Sequence, residues 1–243
     1  MTILNIENVS LHFSGCDKPI LHELNYQIKS GDFVIVLGSN GSGKSSLLKL
    51  LHQYYQPSVG NIYFLQKSLH LHEALSGKVA TLTQNCNESL FSSLTLYENY
   101  LLIKQQKFFS RIHHQQEREF LQKYLLSFNP NLSQKLDLLV DQLSGGEKQA
   151  FALALTVFYP PTLLLLDEHT SALDPKASEQ VMQITANIVK EHRITCLLTT
   201  HDLDIALRYG SRILMLNDGK IIRTINSLEK DTLNKENLIK LCY

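Results

Sequence analysis

The chemistry of this chain begins with a glycine-rich run that fits the pattern GxxxxGK[ST]. The run, Gly38–Ser45, follows an apolar stretch, Phe33–Leu37, and precedes an amphipathic one, Ser46–His52. Glycines let the backbone point successive N–H groups at a phosphate chain, and a helix N-terminus favours an anion. Lys44 can reach the β- and γ-phosphates, and the Ser45 hydroxyl can bind Mg²⁺. The pattern predicts a nucleoside triphosphate site.

An acidic pair, Asp167 and Glu168, closes the apolar run Thr162–Leu166. An acid at a strand end beside a phosphate-binding loop holds Mg²⁺, usually through water, and Asp167 fits that role. The next side chain along a strand points the other way, so Glu168 is placed to polarise the attacking water. Without the loop, the same run would be only a strand end. With it, Glu168 is the candidate catalytic base.

These side chains need a sheet that brings strand ends together. Four apolar runs predict such strands, at Phe33–Leu37, Val79–Thr83, Thr162–Leu166 and Thr195–Thr199. Strands that are apolar on both faces favour a parallel sheet covered by helices, and open α/β sheets bind ligands at the carboxyl ends of their strands. The sequence therefore predicts an α/β fold with a P-loop NTPase core of the RecA-like kind.

The flanking regions differ from this core. Ile3–Ile6 and Leu24–Ile28 predict an N-terminal antiparallel β region, and 212–222 predicts a hairpin around Asp218-Gly219. From about residue 94 to 158 the pattern is helical, as in an inserted α-helical subdomain. We predict one domain, 1–243, with a nucleotide-binding core (1–86 and 159–225), a helical subdomain (87–158) and a tail with one short helix (226–243).

Composition excludes several classes of protein. Lys plus Arg number 23 and Asp plus Glu number 23, so the net charge is 23 − 23 = 0, and there is no basic excess to favour nucleic acid. No apolar run approaches the roughly 18–20 residues that cross a bilayer, and the start lacks the features of a secretory signal. We expect a cytosolic chain. Its four cysteines (Cys16, Cys86, Cys196, Cys242) are far apart, as in reduced structural thiols.

A third element, Leu143–Glu147, is absent from ordinary P-loop proteins. A serine hydroxyl and two glycine amides at a helix start form a second anion-binding nest. Together with the loop and the acidic pair, in this order over nearly the whole chain, it makes the sequence resemble the ATP-binding cassette (ABC) ATPases. In that family Ser144, Gly145 and Gly146 would cap the γ-phosphate held by a second subunit. If the two nests cannot reach the same phosphate, they imply two ATPs between two chains.

The resemblance implies roles for four further residues. Gln84 would touch Mg²⁺ or the lytic water, and His201 would contact the γ-phosphate. Asp174 lies in the segment that crosses the dimer interface, and Phe13 would stack on adenine. A lone phenylalanine is also common in a core, and that alternative stays open. His169, where Pro or Ala is commoner, is either a bulky loop residue or one that tunes the base or contacts the opposite subunit.

The expected site residues then fall into three sets. Those expected to act in catalysis are Lys44, Gln84, Glu168 and His201. Those expected to hold Mg²⁺ are Ser45, Gln84 and Asp167. Those expected to bind ATP are Phe13, Gly38, Ser39, Asn40, Gly41, Ser42, Gly43, Lys44, Ser45, Ser46, Ser144, Gly145, Gly146 and Asp174.

The resemblance implies the motor subunit of a bacterial transporter, of an importer-like subgroup. Such a chain uses ATP and Mg²⁺ and forms an ATP-dependent homodimer. It drives separate transmembrane permease subunits at the cytoplasmic face of the inner membrane, with a substrate-binding protein as an indirect partner. The segment 87–99, with Phe91 and Leu94, resembles the one that docks membrane subunits; a plain loop is the alternative. Competing hypotheses are a soluble ABC ATPase of an iron–sulfur cluster scaffold and a chromosome- or repair-associated relative.

Overall fold

The structure, a computed structural model, describes residues 1–15, 18–68, 77–105 and 113–242. It comprises two compact units. The first contains Met1–Thr81, Pro161–Glu168 and Ile188–Tyr243, and the second contains Leu82–Pro160 and His169–Asn187. The sequence-based domain bounds remain a prediction. Cys16 lies outside the described residues, and within them no helix has the length and apolar character needed to span a membrane.

Ten strands and eight α-helices are found in the described part of the chain. The strands are β1 (Thr2–Leu11), β2 (Leu21–Lys29), β3 (Phe33–Leu37), β4 (Val59–Phe64), β5 (Lys67–Ser68), β6 (Val79–Leu82), β7 (Leu163–Asp167), β8 (Thr195–Thr200), β9 (Arg212–Asn217) and β10 (Lys220–Ile225). The helices are α1 (Lys44–Leu51), α2 (Leu96–Gln105), α3 (His114–Leu126), α4 (Gly145–Thr156), α5 (Pro175–Glu191), α6 (Leu203–Arg208), α7 (Ser227–Lys230) and α8 (Lys235–Cys242).

A six-stranded sheet of order β10-β9-β3-β8-β7-β6 carries the strands predicted from the apolar runs. β3 pairs in parallel with β8 and β9, and β8 pairs in parallel with β7. Every residue of β3 and of β8 is buried, as expected for central strands covered on both faces. The register sets Leu37 opposite Thr200, and Asp167 opposite Thr199. The ends of β3, β7 and β8 therefore meet at one edge.

The first unit also contains a four-stranded antiparallel sheet, of order β2-β1-β4-β5. Burial along β2 alternates, so one face lies on a core and the other meets solvent. Leu4, Leu24, Ile28 and Ile62 of this sheet share a hydrophobic core with Val34 and other residues of the six-stranded sheet. The antiparallel region is confirmed, and β1 extends beyond the predicted Ile3–Ile6, with register shifts along its pairing with β2.

The second unit is mainly helical. Its α2, α3 and α4 account for much of the segment in which the sequence predicted helices. The Tyr124 hydroxyl of α3 donates a hydrogen bond of 2.7 Å to the carbonyl of Ala154 in α4. Ahead of α2, the Leu94 carbonyl accepts from the Val140 N–H at 3.1 Å, and Thr95 bridges to Leu139. These bonds fix the segment that carries Phe91.

The prediction of a single helix in the tail is wrong, since the tail forms two, α7 and α8. Asn226 caps α7, its side-chain oxygen accepting from the Glu229 N–H at 3.0 Å. Asn234 accepts in the same way from the Asn237 N–H at 2.8 Å, at the start of α8. An asparagine cap stabilises a helix start because it satisfies an N–H with no partner within the helix. Two caps eight residues apart therefore give two short helices.

Candidate active site

The glycine-rich loop joins β3 to α1, as its pattern predicts. A Cβ on Gly38 would collide with the Leu216 carbonyl, and one on Gly43 would lie 2.8 Å from Leu21 Cδ2. Gly43 also has φ +104°, a left-handed conformation that side chains disfavour. Both positions therefore require glycine, and the loop is held tightly against its neighbours.

The loop offers donors suited to an anion. Ser39, Asn40 and Gly41 are exposed at its tip, and the N-terminus of α1 follows directly. The Ser42 hydroxyl is buried and, within the part of the chain that the structure describes, has no hydrogen-bond partner. A buried hydroxyl without a partner is costly unless a ligand supplies one. Loop, hydroxyl and helix N-terminus together fit a phosphate group.

Lys44 is buried beneath this loop. Its Nζ donates to the carbonyls of Gly38 at 2.9 Å and Ser39 at 3.0 Å. The same atom lies 3.1 Å from Glu168 Oε1. The side chains of Lys44 and Glu168 are only 4% and 17% exposed, so this ion pair is little screened by water. The predicted loop lysine and the predicted base thus share one site.

Asp167 lies beside the first residues of α1. Its Oδ1 accepts from the Ser45 hydroxyl at 3.1 Å and from the Thr199 hydroxyl at 2.6 Å. Mg²⁺ takes oxygen ligands and keeps several waters, so it needs few protein groups when phosphates supply the rest. The paired oxygens of Ser45 and Asp167 therefore fit Mg²⁺ bound together with ATP.

Glu168 has an unusual backbone conformation. Its φ is +44°, in the left-handed region that non-glycine residues seldom adopt. Its N–H donates to both the carbonyl (3.2 Å) and the hydroxyl (3.1 Å) of Thr199, which hold this turn in place. Such strain persists only where neighbouring bonds enforce it, and it is common at functional sites. Thr199 was not among the predicted site residues, although it binds both acids; only the β7–β8 register reveals it.

His201 completes the cluster in the first unit. Its Nδ1 lies 3.1 Å from Glu168 Oε2, and its side chain is 53% exposed. The turn before α6 fixes its position, because Asp202 caps α6 by accepting from the N–H groups of Asp204 and Ile205. Glu168 therefore contacts Lys44 through one carboxylate oxygen and His201 through the other.

In the second unit, Ser144 is the N-cap of α4. Its hydroxyl accepts from the Glu147 N–H at 3.4 Å, and the Glu147 carboxylate accepts from the Ser144 N–H at 3.1 Å. This reciprocal pair is a capping box. Added Cβ atoms on Gly145 and Gly146 would lie 3.3 Å from Leu173 and 3.0 Å from Ala177, which leaves no room for larger residues. The predicted nest, Ser144–Gly146, thus lies at the N-terminus of α4.

Two other predicted site residues, Asp174 and Gln84, also lie in the second unit. Asp174 Oδ1 accepts from the N–H groups of Lys176 and Ala177, both at 3.1 Å, so its carboxylate caps α5. Gln84 follows β6 and is exposed. Their suggested contacts with nucleotide and metal remain proposals.

Phe13 lies near the end of β1 and is partly buried. Its ring packs edge-on against Tyr55, with the ring centres 4.8 Å apart. The side chain also packs against the hydrophobic core of the first unit. Both hypotheses, adenine stacking and core packing, are compatible with this setting. Tyr55 is an aromatic neighbour that the sequence did not single out.

His169 is a core residue. Its side chain is 2% exposed, and its Nε2 lies 3.1 Å from the Thr185 hydroxyl. That hydroxyl donates to the Val181 carbonyl at 2.8 Å, so we assign the proton of the His169–Thr185 bond to Nε2. Burial lowers the pKa of His169 to about 3. A side chain so buried does not face another subunit, which removes that part of the sequence hypothesis.

The fold and this site define a class of protein. A parallel sheet ends in a glycine-rich loop that contains a buried lysine, beside an acidic pair that can hold Mg²⁺ and activate water. These are the features of a P-loop nucleotide hydrolase, as the sequence predicted.

Comparison with known proteins identifies the family. The sequence profile of the ABC transporter family matches residues 21–171. The chain is 34% identical over 247 residues to "Tyrosine transport ATP-binding protein" of Clostridioides difficile, and the match covers 98% of each protein. It is 30% identical over 236 residues to "Phosphonates import ATP-binding protein PhnC 2" of Oceanobacillus iheyensis, covering 91% of this chain and 89% of that protein.

Solved structures agree with the sequence match. The structure of cbiO1 from Clostridium perfringens, described as part of the ABC transporter complex cbiONQ, superposes with a TM-score of 0.82. It is 26% identical, and the match covers 98% of this chain and 93% of that one. A dimeric post-hydrolysis state of the ATP-binding cassette MJ0796, bound to ADP and Pi, gives a TM-score of 0.77. It is 27% identical, with 93% and 99% coverage.

The chain belongs to the ABC transporter family. It is an ABC ATPase that uses ATP and Mg²⁺, and the predicted fold class and family are confirmed. The soluble-scaffold alternative is not favoured, since the relatives are transport proteins.

Proposed function

We propose that the chain hydrolyses ATP with Glu168 as general base and that this reaction drives uptake of a small solute through separate membrane subunits. One observation carries the catalytic part. One carboxylate, the mostly buried Glu168, contacts the loop lysine Lys44 and the histidine His201, each at 3.1 Å. A base must lie beside the reacting phosphate, where it can reach the attacking water, and its carboxylate must be held in one orientation. The contact with Lys44 of the phosphate-binding loop meets the first condition, and the contact with His201 meets the second.

The ion pair suggests how binding prepares the site. The γ-phosphate carries more negative charge than a carboxylate, so Lys44 would turn from Glu168 Oε1 to the phosphate when ATP binds. Glu168 Oε1 would then accept a proton from water while His201 holds Oε2. The water oxygen attacks the γ-phosphorus and the bond to the ADP oxygen breaks, giving ADP and phosphate. Mg²⁺ held by Ser45 and Asp167 would neutralise charge on the β- and γ-phosphates.

A second copy of the chain would complete each site. We assign the Ser144–Gly146 nest to the γ-phosphate held by the partner's loop, with Asp174 beside that interface and Gln84 near Mg²⁺ or the water. The dimeric state of MJ0796 with ADP and Pi, reported for that cassette, supports this arrangement. Two ATPs would thus be held between two chains.

The membrane partner would dock on the segment around Phe91. Asn99 fastens this segment, since its side-chain oxygen accepts from the Phe91 N–H at 2.8 Å and its amide donates to the Phe91 and Thr95 carbonyls. Phe91 is 61% exposed, whereas Leu94 is partly buried. A fixed turn that presents an exposed aromatic ring suits docking, because aromatic residues are enriched in protein–protein interfaces. The chain would then sit on the cytoplasmic face of the inner membrane. Relatives named for tyrosine transport and phosphonate import support a transport role, and the name of the second supports uptake.

The Glu168→Gln variant tests the catalytic assignment. We expect ATP hydrolysis to fall at least about a hundredfold, because glutamine cannot accept the proton, while ATP affinity stays within about threefold because Lys44 and the loop remain. Phosphate release and nucleotide titration measure the two quantities. The matched control is Glu191→Gln, an exposed residue at the end of α5, which should turn over normally. Normal hydrolysis by Glu168→Gln would remove Glu168 as the base.

A further inference from the structure

An acidic side chain lies within the nest that we assign to a phosphate. Glu147 Oε2 accepts from both the N–H and the hydroxyl of Ser144, each at 3.1 Å. The Glu147 side chain is only 11% exposed, so water screens its charge poorly. A carboxylate this close to the Ser144 hydroxyl repels a phosphate that approaches the same hydroxyl, unless its charge is compensated.

Lys135 provides the compensation. Its Nζ lies 2.6 Å from Glu147 Oε1, so one carboxylate oxygen faces the lysine and the other faces Ser144. Burial raises the pKa of Glu147, but the hydrogen bonds from Lys135 and Ser144 outweigh it and hold the pKa below its ordinary value. Glu147 is therefore ionised at neutral pH, and its charge is present when ATP binds.

Among the residues that the structure describes, Lys135 is the one cation that lowers the pKa of Glu147. A cavity of about 170 Å³ adjoins Ser144 and Gly146, and among the described residues that line it Glu147 alone is charged. Lys148, on the same helix, lies 3.7 Å from Asp141 instead. The compensation of Glu147 thus depends on one lysine, which lies outside every motif that the sequence analysis identified.

We propose that Lys135 is a positioning residue for ATP-driven dimerisation: by neutralising Glu147, it keeps the Ser144 nest able to accept the γ-phosphate of an ATP held by a second copy. The inference rests on the proposed function, in which Ser144 meets that phosphate. When the Ser144 hydroxyl turns from Glu147 to the phosphate, the Glu147 carboxylate loses one hydrogen-bond donor. The ion pair with Lys135 then holds this carboxylate in place. Removing only Lys135 should weaken the dimer, and removing both charges should restore it.

The experiment measures the dimer dissociation constant in ATP and Mg²⁺ by sedimentation. The full chain carries Glu168→Gln so that ATP persists, and four variants are compared with this parent: Lys135→Met, Lys135→Arg, Glu147→Gln, and Lys135→Met with Glu147→Gln. A fluorescent ATP analogue reports nucleotide affinity of the monomer, and thermal unfolding reports the integrity of the fold. Low and moderate salt are compared because unscreened repulsion weakens with ionic strength.

We expect Lys135→Met to weaken the dimer about tenfold, and more at low salt. Lys135→Arg and Glu147→Gln should dimerise at least about as well as the parent. The double variant should recover to within about threefold, and analogue affinity should stay within about twofold throughout. Dimerisation of Lys135→Met at parental strength would overturn the inference. So would a double variant as weak as Lys135→Met, which would indicate a merely structural ion pair. A parent that stays monomeric in ATP would instead overturn the proposed function, and the inference with it.

Discussion

At the scale of single residues, the positions of Asp167 and Glu168 depend on the side chain of Thr199. The buried Thr199 hydroxyl donates to Asp167 and accepts from the Glu168 N–H, so it fixes the oxygen that would hold Mg²⁺ and the backbone of the base. Positioning of this kind acts on the chemical step, because a small displacement of either acid is felt in the transition state.

Thr199→Val should therefore lower kcat for ATP hydrolysis about tenfold and change KM for ATP less than about twofold, because a hydrogen bond to a charged group is lost while the loop is untouched. Thr199→Ser should regain most of kcat. Thr195→Val is the matched control, since Thr195 is also buried in β8 but its hydroxyl accepts from the Gly31 N–H instead. Equal kcat in Thr199→Val and Thr195→Val would contradict the positioning role.

The sequence indicated Lys44, Asp167 and Glu168 because each lies next to a strand end or within a contiguous pattern, and the family resemblance implied the role of His201. Thr199 escaped because its importance arises from strand register, which pairs it with Asp167. Lys135 escaped for a similar reason: it lies 12 positions before Glu147, and only the fold brings the two side chains together. Contacts distant in sequence leave no local pattern.

At the scale of elements, the β9–β10 hairpin supports the nucleotide loop. The Gly219 N–H in its turn donates to the Ser42 carbonyl at 3.0 Å, and the Gly219 carbonyl accepts from the His22 N–H at 2.8 Å. Gly219 has φ +72°, and a Cβ there would collide with the Ile20 carbonyl. The turn thus locks the glycine-rich loop to the start of β2.

Gly219→Ala should lower the free energy of unfolding by several kcal/mol and weaken ATP binding, because backbone must move to admit the methyl group. Gly31→Ala is the control: Gly31 has φ +80° but open space around the added Cβ, so the cost should be only about 1 kcal/mol. Urea unfolding and nucleotide titration compare the two. Similar losses in both variants would contradict the role of the hairpin.

The buried His169, in the segment before α5, makes the stability of the fold depend on pH. Its pKa is about 3 in the fold against an ordinary value of 6.5, so between these values the unfolded chain binds a proton that the folded chain does not. Stability is then fully present above about pH 6.5 and falls as the pH drops, by up to about 1.4 kcal/mol per pH unit. His169→Gln, which keeps an N–H donor, should remove this slope between about pH 6 and 4. Urea unfolding at each pH gives the free energy of unfolding of both proteins. The same dependence of this free energy on pH in the two proteins would contradict the prediction.

The sequence predicted the elements unevenly. The strands β3, β7 and β8 were predicted because they are continuous apolar runs. β4, with the mixed sequence VGNIYF, was not identified, since it forms a strand through its pairing with β1 rather than through its own pattern. The second tail helix was missed because the cap at Asn234 was not recognised.

At the scale of the whole molecule, the protein is an ABC ATPase, and we propose that it acts on a membrane partner. The cluster of Lys44, Glu168 and His201 lies in the first unit, and the fixed turn that presents Phe91 lies in the second. The grouping of His169–Asn187 with 82–160 could not be read from the sequence, because it arises from contacts distant along the chain.

Co-purification tests whether this ATPase works with a membrane protein. The Glu168→Gln chain, tagged and held with ATP and Mg²⁺, would be isolated from detergent-solubilised source cells and its partners identified by mass spectrometry. We predict a multi-span membrane protein in stoichiometric amount. Phe91→Asp should reduce its recovery at least about fivefold, because a desolvated charge opposes docking. Leu228→Asp, at a residue that is 81% exposed on α7, should have no effect. Recovery of soluble partners alone would contradict the proposed membrane partner and favour a scaffold ATPase.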